Sequence, residues 1–223
     1  MVLVYSKWAG PLLDTINADI ANTSTLASSL LTAIVYGADL FGDEAMFLTG
    51  NFGFDGYMGV PRLMGANAEQ AAAEFNVAWQ TLDPALNPSL RALTSAASLV
   101  GASGTYATRL LLADTMPLVF SFPVLPSSLD ADGSDFEVTL SNGTTVTPQI
   151  AGLLPNLEHN ERQTVVIDGD FGNRITPGSP GARYPISVAI VNDGTPLQMI
   201  GRSGPVNAVG LSIDSSNSYV AGN

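Results

Sequence analysis

Hydrophobic positions recur with a helical period through the first part of the chain. Leu12, Ile16 and Ile20 follow one another at every fourth residue, and an apolar stripe with a period of about 3.6 residues continues over 26–38. This spacing places the apolar side chains on one face of a helix. The pattern predicts two amphipathic helices before residue 41.

A stretch rich in glycine and aromatic residues, 50–65, interrupts this helical pattern. It contains Phe52, Phe54 and Tyr57 among glycines. Glycines at this density favour a loop over a regular helix. The loop is long enough to be functional, but aromatic rings that anchor a packed connection in the core explain the same residues and are the favoured interpretation.

Two further helices are predicted after this loop. Asn67 is a good N-cap for a helix that extends to Leu82. Asn87, followed by a proline in the first helical position, begins the next helix, whose apolar stripe extends to Val100 and ends at Gly101. Residues 1–114 are therefore predicted to be mainly helical.

Near Thr115 the hydrophobic period changes to two. Leu118, Phe120, Phe122 and Val124 alternate with other residues, which is typical of a strand with one buried face. Similar short runs, separated by Gly, Pro, Asn and Asp clusters, predict strands at 136–140, 164–168, 185–191, 197–200 and 208–213. This spacing of short strands favours an antiparallel β-sandwich over 115–223.

The beginning of this second region resembles bacterial immunoglobulin-like surface modules. The resemblance is carried by the run 117–124, by the alternating run 135–140 and by the Gly-Thr turn that follows. It implies a surface spacer or adhesive domain. The resulting fold class is α+β, with a helical N-terminal half packed on or preceding an antiparallel, immunoglobulin-like β-sandwich.

Charge restricts the classes of partner. Charged residues make up 13% of the chain, against roughly 25% in average proteins, and the net charge is −12 with a single lysine, Lys7. So negative a surface repels nucleic-acid phosphates and anionic lipid headgroups. The longest apolar run, 26–41, is shorter than the roughly 20 residues that span a bilayer. The scarcity of charge favours burial against a protein or carbohydrate partner, or in a homo-oligomer.

The composition also indicates a compartment. The chain contains no cysteine, which excludes disulfides, zinc thiolates and cysteine nucleophiles. An acidic, lysine-poor composition rich in Gly, Ser, Thr, Asn and Asp resembles bacterial proteins that are exported unfolded into calcium-rich surroundings. We therefore expect an extracellular or cell-surface location, although a salt-adapted cytoplasmic protein has a similar charge balance. Residues 1–11 lack the features of a signal peptide, and the chain is compatible with being part of a longer protein.

Calcium is the predicted ligand. Asp130, Asp132 and Asp135 surround a glycine turn, and tight loops with alternating carboxylates supply the oxygen ligands that Ca²⁺ prefers. A second candidate loop contains three more oxygen-bearing side chains, Asp168, Asp170 and Asn173. The alternative is that these Asp and Asn residues only form turns by bonding their own backbone.

No catalytic motif stands out in the sequence. His159 is the only histidine, and neither Ser103 nor Ser203 lies in a G-x-S-x-G motif. The leading hypothesis is a non-enzymatic binding or structural module at the cell surface, stabilised by calcium. The alternatives are a hydrolase with a site between the two halves that uses His159 and nearby carboxylates, and a self-assembling filament or shell subunit.

Overall fold

The computed structural model of the chain describes residues 42–52, 56–85, 92–106, 108–153 and 163–217. The two helices predicted before residue 41 lie outside these residues, and so does His159.

Most of the described secondary structure is β. Helices α1 (Ala68–Glu74) and α2 (Leu99–Tyr106) are short. No helix among the described residues has the length and apolar character needed to cross a membrane. The strands are β1 (Phe47–Gly50), β2 (Gly56–Val60), β3 (Gln80–Thr81), β4 (Ala92–Leu93), β5 (Ala96–Ser98), β6 (Ala113–Phe120), β7 (Phe136–Leu140), β8 (Thr145–Val146), β9 (Ile150–Gly152), β10 (Thr164–Gly169), β11 (Pro185–Ile190), β12 (Gln198–Gly201), β13 (Gly204–Asn207) and β14 (Ser212–Asp214).

The strands form two main sheets. The larger sheet has the order β5-β2-β6-β10-β9, and β1 also pairs with β6. The smaller sheet has the order β14-β11-β7-β8. All pairs in both sheets are antiparallel except β2 with β5. Two ribbons, β3–β4 and β12–β13, complete the described strands.

The two sheets share one hydrophobic core. On β6, Met116, Leu118 and Phe120 alternate with less buried neighbours, and all three are fully buried. The same core contains Phe136 and Val138 of β7 in the smaller sheet. Each fully buried side chain of this size stabilises the fold by about 1.5–3 kcal/mol, so the side chains that these two strands contribute are a main part of what holds the sheets together.

The predicted fold class, α+β with a helical first half, is wrong for the described residues. α1 ends at Glu74 rather than at Leu82. Where a helix was predicted up to Val100, the chain forms β4 and β5, and α2 contains the glycine that was expected to end that helix, Gly101. Short runs of Ala, Leu and Ser are compatible with a helix or a strand, and here Ala96–Ser98 is a strand because it pairs with β2.

The glycine-rich stretch is not simply a loop, because it contributes the end of β1 and the whole of β2. Gly50 and Gly56 allow close packing: a Cβ at Gly50 would lie 3.2 Å from atoms of both Leu118 and Phe52. The expectation that an aromatic ring anchors this stretch is confirmed for Phe52, which is 9% exposed and part of the core.

Of the strands predicted after Thr115, the one at 136–140 coincides with β7, and those at 164–168, 185–191 and 197–200 are present with ends shifted by one residue. β6 begins at Ala113, before the predicted change of period. The strand expected at 208–213 is present only at its end, in β14, because residues 208–211 form the connection between β13 and β14, in which Gly210 has a φ of +92°. This connection needs the left-handed conformation that glycine adopts without steric cost.

An arginine joins distant parts of the larger sheet. One Nη of Arg174 lies 2.7 Å from Asp114 Oδ1 and donates to the Gly56 carbonyl at 3.0 Å. Its guanidinium lies 3.9 Å from the centre of the Tyr57 ring. Asp114 is 1% exposed, and burial raises its pKa to about 6 even though Arg174 acts in the opposite direction. The pair therefore links β2, β6 and the segment after β10.

We expect Arg174→Met to lower the free energy of unfolding by roughly 3 kcal/mol at neutral pH, because it leaves the buried Asp114 carboxylate without its cation. Urea unfolding measures this loss, and the matched control is Arg183→Met. Arg183 pairs with Asp170 at 3.0 Å in an exposed position, so that loss should stay below about 1 kcal/mol. Equal losses for the two variants would contradict the expectation.

Candidate metal centre

The candidate site begins at a tight turn that precedes β7. Residues 130–135 connect the 3-10 turn Pro126–Ser128 to this strand. The amide of Gly133 donates to the Asp130 carbonyl at 3.1 Å, and Gly133 has a φ of +77°. A Cβ at Gly133 would lie 2.7 Å from Pro148 Cβ, so only glycine fits this position without displacing its neighbour.

This turn is hydrogen-bonded to both main sheets. The amide of Ala151, in β9 of the larger sheet, donates to the Ala131 carbonyl at 3.2 Å. The amide of Val191, directly after β11 of the smaller sheet, donates to the Asp135 carbonyl at 2.8 Å. Two separate chain segments therefore fix the position of its carboxylates.

Three carboxylates converge here. Oxygens of Asp130, Asp135 and Asp193 all lie within 4.8 Å of one another, and we call these three residues the acid cluster. Asp193 belongs to the turn after β11. Because β7 pairs with β11 in a register that places Phe136 opposite Ile190, the residues before β7 meet those after β11.

Asp135 forms the buried part of the acid cluster. Its side chain is 0% exposed, and its Oδ2 accepts the Asp130 amide proton at 2.7 Å. Its Oδ1 is also buried and accepts no hydrogen bond among the described residues. Burial raises the pKa of Asp135 to about 6; the Asp130 amide opposes this, while the carboxylate of Asp193 adds to it.

The other two carboxylates lie nearer the surface. Asp130 is half-buried and hydrogen-bonds to the exposed Asp193; partial burial and this bond raise the pKa of Asp130. The pKa of Asp193 is lowered, first by a hydrogen bond from Ser134. The Ser134 hydroxyl lies 2.6 Å from Asp193 Oδ2 and 2.7 Å from Asp132 Oδ1, so its single proton bonds to one of them at a time.

The structure distributes the predicted ligands unevenly. Asp130 and Asp135 belong to the acid cluster. Asp132 lies beside it, exposed, and its Oδ1 accepts the Ser134 amide proton at 3.1 Å. Asp193 was not among the predicted ligands, because in the sequence it is only one member of an Asn-Asp-Gly cluster, 192–194, between predicted strands. The only signal that could have found it is the pairing of β7 with β11.

The three residues of the second predicted loop are each engaged elsewhere. Asp168 is fully buried and its Oδ1 accepts the Thr115 hydroxyl proton at 2.6 Å. Asp170 accepts from Arg183 at 3.0 Å, and Asn173 Oδ1 accepts the Arg183 amide proton at 3.0 Å. Among the described residues these side chains join no group of three metal-binding residues, and their metal role stays a prediction.

The hydrolase hypothesis is not tested by the described residues. His159 lies outside them. Ser103 is in α2, where its hydroxyl donates to the Leu99 carbonyl at 2.8 Å, as a helical serine commonly does.

The described surface also contains two grooves: one of about 570 Å³, lined by Phe47, Leu48, Ser187, Ser212, Ile213 and Asp214, and one of about 410 Å³ around Trp79.

Comparison with known proteins assigns no family to this fold or to the acid cluster: no protein-family model, curated protein or solved structure matches the chain.

The conformation of the turn over residues 130–135 should depend on Gly133. We expect Gly133→Ala to lower the free energy of unfolding by about 3 kcal/mol, because it adds a left-handed alanine and a contact with Pro148. The control is Gly143→Ala at the other end of β7, where φ is +81° but a Cβ meets nothing within 4 Å. That variant should lose about 1 kcal/mol. Urea denaturation of both variants checks the difference, and equal losses would refute it.

Three buried carboxyls should make the protein more stable in mild acid. Burial raises the pKa values of Asp114, Asp135 and Asp168 to about 6, whereas unfolded Asp titrates near 3.9. The folded state therefore holds these protons more tightly, and the stability they contribute is complete below about pH 4 and lost as the pH rises through about 6. We expect thermal unfolding without added metal to show a higher Tm at about pH 5 than at about pH 7.5.

The contribution of Asp168 can be separated by substitution. Asp168→Asn should reduce the pH-dependent change in the free energy of unfolding by about 2 kcal/mol, since it removes the buried ionisable group. Thr115→Val keeps the Asp168 carboxyl but removes the hydrogen bond that lowers its pKa. The loss of stability with rising pH should therefore persist in this variant and occur at higher pH. A wild-type Tm that stays constant or decreases when the pH is lowered from about 7.5 to about 5 would show that burial does not govern the pKa values of these carboxyls.

Proposed function

We propose that the chain is a non-enzymatic binding or structural module that works outside the cell or at its surface, and that calcium bound at the acid cluster stabilises its β-sandwich. The observation that carries the proposal is the buried Oδ1 of Asp135, which accepts no hydrogen bond among the described residues and belongs to a carboxylate that meets those of Asp130 and Asp193. A buried carboxylate oxygen is costly unless a hydrogen bond, a positive charge or a proton satisfies it.

A divalent cation would satisfy this oxygen and also neutralise the repulsion within the acid cluster. Calcium suits it better than magnesium, because Ca²⁺ accepts irregular sets of carboxylates on loops, whereas Mg²⁺ requires near-ideal octahedral geometry. The net charge of −12 supports this interpretation, since a negative surface raises the local concentration of cations. Millimolar calcium is a property of extracellular surroundings, which supports the proposed location.

The position of the acid cluster explains how a bound ion would act on the whole fold. Asp130 and Asp135 lie on the turn that is hydrogen-bonded to β9 and to the residue after β11, and Asp193 follows β11 directly. An ion shared by these three side chains would therefore connect the segments before β7 and after β11. Because it binds the folded state only, it would raise the free energy of unfolding.

Calcium should raise the Tm of the wild-type chain at neutral pH. At a free concentration one hundred times its Kd, the ion adds about 2.7 kcal/mol to the free energy of unfolding. Differential scanning calorimetry with calcium or with a chelator measures this change, and isothermal titration calorimetry gives the Kd. The increase should shrink below about pH 6, where Asp135 holds a proton that competes with the ion.

Two substitutions locate the ion. Asp193→Asn should abolish the calcium-dependent increase in Tm, because it removes one of the three converging carboxylates. Asp170→Asn is the matched control, since it removes an exposed carboxylate of the second predicted loop, which pairs with Arg183. Its response should equal that of the wild type. An unchanged response in Asp193→Asn would rule out calcium at the acid cluster.

A further inference from the structure

The hairpin between β7 and β8 contains an asparagine in a pattern that allows covalent modification. Asn142 is followed by Gly143 and Thr144, which meets the rule Asn-x-Ser/Thr, with x other than proline, for the acceptor of an N-linked sugar. Among the asparagines that the structure describes, Asn142 alone has a serine or threonine two positions later. A second such pattern, at 22–24, lies outside the described residues.

The folded hairpin places this asparagine at the surface. The Gly143 amide donates to the Leu140 carbonyl at 2.8 Å, and the Leu140 amide donates to the Thr144 carbonyl at 2.8 Å, which closes the turn. Residues 142–145 are all exposed. A Cβ at Gly143 would meet nothing within 4 Å, so the space beside the turn is open. A bulky group on Asn142 therefore has room while the hairpin stays folded.

The hydrogen bonds of the Asn142 side chain leave its nitrogen available. Its Oδ1 accepts the Thr144 amide proton at 3.1 Å and the Thr144 hydroxyl proton at 2.7 Å. Because a backbone amide only donates, the atom that it meets must be the oxygen of the side chain. Nδ2, the atom that a sugar joins, has no hydrogen-bond partner among the described residues.

Other exposed asparagines lack this combination. The Nδ2 atoms of Asn76 and Asn173 donate to backbone carbonyls at 3.4 and 2.7 Å. Asn192 resembles Asn142 in its turn, since its Oδ1 accepts the amide proton of the residue two positions later at 3.1 Å. That residue is Gly194, which has no hydroxyl. Within the described part of the chain, the sequence pattern and an available nitrogen therefore coincide at Asn142.

We propose that Asn142 is an N-glycosylation site, to which a transferase attaches a sugar chain from a lipid-linked sugar pyrophosphate. Nδ2 forms a bond to C1 of the sugar, and the bond between C1 and the pyrophosphate oxygen breaks. The lipid pyrophosphate leaves with that electron pair, and the amide nitrogen gives one proton to a base of the transferase. This inference rests on the proposed location outside the cell, because lipid-linked transfer takes place on the side of a membrane that faces away from the cytoplasm.

A sugar at this position would protect an edge of the fold. The hairpin tip leads directly into β8, the outer strand of the smaller sheet. Charged residues make up only 13% of the chain, and N-linked sugars are bulky, solubilising surface groups. A sugar chain beside β8 would add neutral, hydrated bulk and hinder pairing of this edge with another chain.

The test is mass spectrometry of the full chain recovered from outside the cells that produce it naturally. The peptide that contains Asn142 should have the additional mass of a sugar chain. Enzymatic release of this sugar in water enriched in heavy oxygen should leave the isotope label at the same residue, which identifies the nitrogen that was modified.

Substitutions made in the same cells separate the sequence pattern from simple exposure. Asn142→Gln and Thr144→Ala should each abolish the sugar on this hairpin, because the first removes the acceptor and the second removes the hydroxyl that the pattern requires. Thr144→Ser keeps a hydroxyl and should retain the sugar. Thr145→Ala, which changes the neighbouring exposed threonine, is the matched control and should also retain it.

The outcomes separate this inference from the proposed function. A chain found outside the cell without a sugar on Asn142 would overturn the inference and leave the proposed location in place. A chain confined to the cytoplasm and unmodified would overturn both. A sugar that persists on Asn142 in Thr144→Ala, or that is attached only within 22–24, would also overturn the inference, because neither result fits recognition of this hairpin through its threonine.

Discussion

Strand β6 is the constraint on which the rest of the fold depends. It pairs with β10 on one side and with β1 and β2 on the other, so strands from both halves of the chain are joined through it. Its inward side chains Met116, Leu118 and Phe120 also form the centre of the core shared with the smaller sheet. A change that removed this strand from the sheet would therefore disrupt both its hydrogen bonding and its packing.

The elements that the sequence predicts correctly are those whose pattern is local. Alternation in β7 and the Asn-Gly turn after it are contained in a few consecutive residues, and this hairpin is present. The helix expected up to Val100 failed because its apolar residues also fit short strands. In the structure, Ala96–Ser98 is held as a strand by parallel pairing with β2. Such pairing depends on residues far away in the sequence, which periodicity does not report.

The candidate site, too, can be predicted from the sequence only where its residues are close together in the chain. Asp130 and Asp135 belong to one turn, so their proximity follows from the spacing of the carboxylates. Asp193 reaches them only through the register of β7 against β11. The sequence also gives no indication that Asp168 is buried against Thr115, because this pair is formed between two strands of the larger sheet. Local composition thus identifies part of the acid cluster, and sheet topology completes it.

The outermost strands of the described sheets are short, which limits how a second chain could extend them. Among the described residues, the larger sheet ends in β5, in β9 and in β1, which pairs only with β6, and the smaller sheet ends in β14 and β8; each of these strands has two to four residues. Such brief edges expose too few unpaired amides and carbonyls to template the addition of a neighbouring strand. If copies of this chain assemble through the described part of the fold, side chains on its faces and loops would hold them rather than a sheet continued through these edges.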